Sequence, residues 1–200
     1  MKQSSLLMVA LIAYVGWAGC TREAPPPHGD TMSGITVSSD NKPTHTANDS
    51  ETKNAAAYNN RGLAKDTLGD YQGAISDYNK AIELEPKHVK SYYNRGLAKH
   101  TLKDYQGAMS DFNKTIELDP KYAKAYISRG VIRARSGDYQ GAISEFNKAI
   151  ELDPKDATAY YNRGADKANL GDMSGACQDL SAAGKLGDPD AYSSMKKVCK

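Results

Sequence analysis

Apolar and polar positions alternate along most of the chain with spacings of three and four, and from Ala55 the pattern returns every 34 residues. The four segments are AAAYNNRGLAKDTLGDYQGAISDYNKAIELEPKH from Ala55, VKSYYNRGLAKHTLKDYQGAMSDFNKTIELDPKY from Val89, AKAYISRGVIRARSGDYQGAISEFNKAIELDPKD from Ala123 and ATAYYNRGADKANLGDMSGACQDLSAAGKLGDPD from Ala157. Such spacing predicts amphipathic helices. Each segment holds two, one over about its first to fourteenth residue and one over about its sixteenth to thirtieth. Between them stands Gly69-Asp70, Gly137-Asp138 or Gly171-Asp172. Glycine suits the left-handed residue past a helix end, and aspartate caps the helix that follows. The second segment has Lys103-Asp104 instead. A left-handed lysine costs about 1–2 kcal/mol, so a different turn geometry is expected there. Pro86, Pro120 and Pro154 end the second helices.

The chain ahead of the pattern has another character. Lys2 is followed by a run of apolar and small residues from Leu6 to Gly19. The run is shorter than the ~20 residues of a spanning helix and suits the apolar core of a secretory signal. It ends Trp17-Ala18-Gly19-Cys20, which resembles the lipobox of bacterial lipoproteins, although Trp17 stands where that pattern usually has Leu. The resemblance implies cleavage after residue 19, a diacylglycerol on the Cys20 sulfur, and acylation of the new amino terminus. The plain alternative is an ordinary signal peptide, with Cys20 a spare thiol. Two or more acyl chains hold stably where one holds marginally, at about 0.8 kcal/mol per buried methylene. Thr21, in place of the Asp that commonly retains lipoproteins in the inner membrane, implies an outer-membrane destination facing the periplasm in a two-membrane host. Residues 20–52 are rich in Pro, Ser, Thr, Asp and Gly. They are expected to form a disordered tether with a reach of about 30 Å. His28 and His45 lie there, too isolated for a metal site.

A 34-residue period of paired helices, with its small residues, tyrosines and prolines, resembles the tetratricopeptide repeat (TPR) family. The resemblance implies an all-α right-handed superhelical solenoid. Its parts are a signal peptide (1–19), a tether (20–52), four repeats within 53–190 (55–88, 89–122, 123–156 and 157–190) and a capping helix over 191–200. Gly62, Gly96, Gly130 and Gly164 on first helices, and Ala74, Ala108, Ala142 and Ala176 on second helices, fall where the family packs its helices closest. Tyr58, Tyr92, Tyr126 and Tyr160 take its large aromatic position and are expected in the core. These repeats account for most of the tyrosine excess, Tyr 13 against Phe 2 and Trp 1.

Charge adds a second pattern. Arg61, Arg95, Arg129 and Arg163 precede Asp77, Asp111, Glu145 and Asp179 by 16 residues, which suggests a ladder of ion pairs. Exposed pairs would contribute only about 0–1 kcal/mol each. Lys+Arg 26 against Asp+Glu 24 gives a net charge of +2, which argues against nucleic acid as a partner. Cys177 and Cys199 face one seam at the end of the stack. In an exported protein they are expected to form a disulfide, the alternative being two buried thiols.

The family resemblance also places a groove on the first helices. Asn60, Asn94 and Asn162 stand there, with Ser128 in the third repeat. Their amides either pair with the backbone of an extended peptide or cap within their own helix. Tyr93 and Tyr161 would add apolar contact, and Lys90 and Lys124 positive charge. The carboxylate clamp of chaperone-binding TPRs is excluded, since only Asn94 and Lys124 match it and Asn59, Leu63 and Ser128 do not. Neither a nucleophile with a partnered base nor a phosphate loop or metal motif is present. The expected function is therefore a non-catalytic scaffold, with no cofactor, that is lipid-anchored to the envelope and binds a protein or peptide partner. A self-associating structural protein and an envelope hydrolase are the alternatives.

Overall fold

The computed structural model describes residues 54–199. The expected signal peptide, tether and acylated Cys20 lie outside the described residues. Among those residues the chain forms nine helices and no strand. They are α1 (Ala55–Thr67), α2 (Tyr71–Leu84), α3 (Val89–Thr101), α4 (Tyr105–Leu118), α5 (Ala123–Arg135), α6 (Tyr139–Leu152), α7 (Ala157–Asn169), α8 (Met173–Lys185) and α9 (Ala191–Val198). Each 34-residue segment is one helix hairpin. Its second helix packs on the first helix of the next segment, and α9 packs on α8. The result is an all-α solenoid. First helices also touch one another, α1 with α3 and α5 with α7, which puts them on the inside of the curve.

Local chemistry repeats with the helices. Asp70, Asp104, Asp138 and Asp172 cap α2, α4, α6 and α8, each accepting at 2.9 Å from the backbone N–H of Gly73, Gly107, Gly141 or Gly175. A cap of this kind contributes about 1 kcal/mol. Gly69, Gly137 and Gly171 are left-handed, with φ of 83°, 87° and 87°. Lys103 is left-handed too, with φ 65°. The expected change of turn geometry is not found. The N–H of Asp104 donates to the Lys99 carbonyl at 2.9 Å, just as that of Asp70 donates to Lys65 at 3.0 Å. The helices on either side, and the cap, impose the turn on the lysine.

The core is a row of rings set against glycines. Tyr78, Phe112 and Phe146 are fully buried on the second helices. A Cβ built on Gly62, Gly96 or Gly130 would stand 2.7, 2.6 or 2.7 Å from the ring of Tyr78, Phe112 or Phe146. The close approach that needs glycine is thus made to a ring rather than to Ala74 and its counterparts. In the fourth segment Leu180 replaces the ring, and a Cβ on Gly164 would meet nothing nearer than 3.1 Å. Each ring also supports the next repeat: Ala98 of α3 clusters with Ala74 and Tyr78, and Ile132 of α5 with Ala108 and Phe112.

These contacts predict an asymmetry. Gly96→Ala should destabilise the domain by about 1–2 kcal/mol, because overpacking exceeds the gain in helix propensity. Gly164→Ala should be neutral within about 0.5 kcal/mol. Urea midpoints of the two variants check this. Lys103→Gly should stabilise by up to about 1 kcal/mol by relieving left-handed strain, read as a rise in thermal midpoint.

Candidate functional site

The charged ladder is built from the first helices toward the second. Arg95 grips Asp111 with two bonds, Nε to Oδ2 at 3.0 Å and Nη2 to Oδ1 at 2.6 Å. Lys99 reaches the same carboxylate at 2.8 Å. The arrangement recurs with Arg61 and Lys65 on Asp77, Arg129 and Arg133 on Glu145, and Arg163 and Lys167 on Asp179. The carboxylates are buried, only 3–7% exposed, so the exposed pairs expected from sequence are in fact desolvated acids, each held by two cations. Each guanidinium also lies over the tyrosine three residues before it, at 4.9–5.5 Å. Those tyrosines stand at the margin of the core: Tyr126 is buried, whereas Tyr58, Tyr92 and Tyr160 are half-buried. The hydroxyls of Tyr92 and Tyr126 donate back to the carbonyls of Pro86 and Pro120 at 3.3 and 3.1 Å.

One member of the ladder crosses between repeats. Arg95, Arg129 and Arg163 donate through Nη1 to Asn79, Asn113 and Asn147 of the preceding second helix, at 2.6, 2.9 and 2.7 Å. Sequence reasoning missed these asparagines and the cations at 65, 99, 133 and 167. A signal was present: asparagine holds one register in three segments, and Ser181 replaces it in the last, after which no repeat arginine follows.

The residues expected in the groove separate. Lys90 and Lys124 are exposed at one register of α3 and α5, and neither forms an ion pair among the described residues. Asn60 is exposed. Asn94 gives its amide to Asn59 Oδ1 at 3.0 Å. Asn162 is buried and donates to the Thr158 carbonyl at 2.9 Å. The three amides do not form an open row. Tyr93 is half-buried, its ring 5.8 Å from Phe112 and 4.9 Å from Tyr122. Tyr161, expected to line the groove, is instead 5% exposed beneath α9, its hydroxyl 3.1 Å from Ser194 Oγ. Cys177 and Cys199 are joined by a disulfide, with Cα atoms 5.7 Å apart, which ties α9 to α8. Among the described residues no group of three or more His, Cys, Asp or Glu could hold a metal ion, and no helix is long and apolar enough to cross a membrane.

Models of the tetratricopeptide repeat match residues 55–88 and 89–122, and a second TPR repeat model matches residues 132–171, together more than half of the chain. The chain belongs to the tetratricopeptide repeat family. Solved structures with the same architecture include MamA, at 24% identity and a TM-score of 0.63 over 70% of this chain and 82% of that one. The first TPR domain of Spaghetti (RPAP3), bound to the HSP90 peptide SRMEEVD, is 27% identical, with a TM-score of 0.58 over 60% of this chain and 95% of that one. The TPR domain of Arabidopsis OM64 is also 27% identical, with a TM-score of 0.57 over 59% and 98%. No curated protein sequence matches the chain. TPR scaffolds of this kind mediate contacts between proteins.

Two titrating groups tie the TPR stack to pH. Burial pushes His100 below its ordinary value, helped by the charge of Arg135. The His100 ring meets the edge of Tyr105 at 5.4 Å, and the Arg135 guanidinium covers that tyrosine at 4.8 Å. Burial would raise the carboxyl of Asp77, but the hydrogen bonds and charges of Arg61 and Lys65 outweigh it and hold the group below the usual range. Both folded values lie under their unfolded ones, so the unfolded chain binds more protons in each window. Stability should begin to fall as pH drops through about 6.5, and fall further below about 4. His100→Gln should remove the first decline in thermal midpoint and leave the second. Asp111→Ala should cost about 3 kcal/mol in a urea titration, because it strands two cations in a partly buried site. Asp77→Ala should cost less, since Arg61 is 47% exposed against 17% for Arg95.

Proposed function

We propose that this protein is a non-catalytic envelope adaptor whose first helices hold an acidic, extended segment of a protein partner. The observation that carries the reading is the pair Lys90 and Lys124, exposed at one register on the inner helices and engaged in no ion pair among the described residues. Half-buried Leu97 and Val131 of the same helices, and Leu63 of α1, offer apolar contact on the first helices. The other cations of the first helices hold buried acids, except Arg135, which covers the Tyr105 ring, so Lys90 and Lys124 are the two with no such commitment. The neighbour holding the peptide SRMEEVD supports an acidic ligand, although the residues at 59, 63 and 128 imply contacts other than a carboxylate clamp. The run from Leu6 to Cys20 supports export and acylation at Cys20, which would place the groove at a membrane surface facing the periplasm.

Photo-crosslinking in the native envelope tests the reading. A crosslinker at position 90 or 124 should capture one saturable protein partner, while one at Glu83 on the second helices should not. Lys90→Glu with Lys124→Glu should lower the affinity of that partner at least about tenfold, or 1.4 kcal/mol. Equal capture at positions 83 and 90, or unchanged affinity in the double variant, would contradict the groove assignment. Mass spectrometry of the mature amino terminus reads acylation of Cys20 separately.

A further inference from the structure

A disulfide ties a short helix over one end of the stack, and a first helix with an exposed edge stands at the other. The first helices begin at residues 55, 89, 123 and 157, and α9 begins at 191, where the first helix of a fifth repeat would start. It occupies that seat one residue out of register: Ser194 is buried where Ser91, Ala125 and Ala159 of the first helices would align with the exposed Ser193. Ala191 clusters with Tyr161, Leu180 and Ala183, and Ser194 meets the Tyr161 hydroxyl. The ring of Tyr192 lies so close over Gly184 that a Cβ there would be 2.8 Å from it.

At the opposite end α1 presents the face that α3, α5 and α7 turn toward the repeat before them. Ala98 and Ile132 of that face are 0% and 7% exposed, packed on Tyr78 and Phe112. Ala64 holds the same register in α1 and is exposed, as is Asn60, and Leu68 at the end of the stripe is 85% exposed. Arg61 shares the position of Arg95, Arg129 and Arg163, which reach an asparagine of the preceding repeat. The surface under α9 therefore has the shape that receives a first helix three times within the chain, and α1 is a first helix with no repeat before it among the described residues.

We propose that α9 is an end stop, and that the open edge of α1 docks on the α7–α8 end of a second copy once the Cys177–Cys199 staple is released. The releasing agent is a dithiol. Its two sulfurs become a disulfide, and two electrons and two protons pass to the protein, leaving Cys177 and Cys199 as thiols. Without the tie, an eight-residue helix competes with the thirteen-residue α1 of another molecule for one seat. The contact is head to tail and does not close on itself, so copies add in a row. Ser181 stands where the internal boundaries have Asn79, Asn113 and Asn147, so Arg61 meets a shorter partner there and the joint is weaker than the boundaries within the chain.

Sedimentation velocity of the full chain in detergent, with and without dithiothreitol, tests this. The oxidised protein should stay monomeric at every concentration. The reduced protein should grow in mass as concentration rises. Ala64→Arg, on an exposed position, should keep the reduced protein monomeric, and Ser181→Asn should move its assembly to several-fold lower concentration. The proposal is overturned if the reduced protein remains a monomer, if the oxidised protein assembles equally, or if Ala64→Arg assembles like the parent. That last result would mark association through another surface or through unfolding.

Discussion

No hairpin in this chain can bury both of its faces alone, and that constraint governs the rest of the structure. The second helix of each hairpin carries a buried side chain, Tyr78, Phe112, Phe146 or Leu180. One side of it rests on a glycine of its own first helix. Another side is covered only when the next first helix arrives, bringing Ala98 or Ile132. Removing such a ring would cost about 3–5 kcal/mol, several times the contribution of one helix cap. Stability is therefore shared between neighbours, as in other one-dimensional stacks. The ends are where a hairpin lacks a neighbour. At one end α9 fills the seat, and at the other, among the described residues, α1 leaves a face open.

Charge specifies which stacking is allowed. Taking a carboxylate such as Asp111 out of water is expensive, and two cations with three short bonds offset that cost without a large surplus. What the ladder adds is register. Asn79 meets Arg95 only when the second hairpin sits correctly on the first, and the same test is repeated at Asn113 and Asn147. A slipped repeat would keep each arginine on the acid of its own hairpin but would lose the asparagine of the hairpin before it. The ladder also explains why Lys90 and Lys124 stand apart: they are cations of the first helices that the stack itself does not use.

Much of this was legible in the sequence, because a 34-residue period repeats each local decision four times. Helix limits, caps, turns and the pairing of residue 61 with 77 and its counterparts all recur in register. What was not legible depends on neighbours in space. Lys103 has an unsuitable side chain for its turn, yet the hairpin around it imposes the same left-handed backbone. Tyr161 matches a groove position by register, but whether that position is open depends on α9, which comes thirty residues later and ends the repetition. Asn94 and Asn162 look alike in sequence and differ only in what the adjacent helix offers their amides. The depth of the ladder carboxylates likewise follows from packing across helices, which charge spacing alone does not reveal.

The seams between hairpins are consumed by packing, and both the outer face of the second helices and part of the inner face of the first helices stay exposed. Each repeat is held by the one beside it through these seams. Hydrogen exchange followed helix by helix tests it most directly. Exchange should be slowest in α4, α5 and α6, where both neighbours are present, and fastest in α1, with a graded change between. Uniform protection from α1 to α8, or a central hairpin opening before α1, would contradict it.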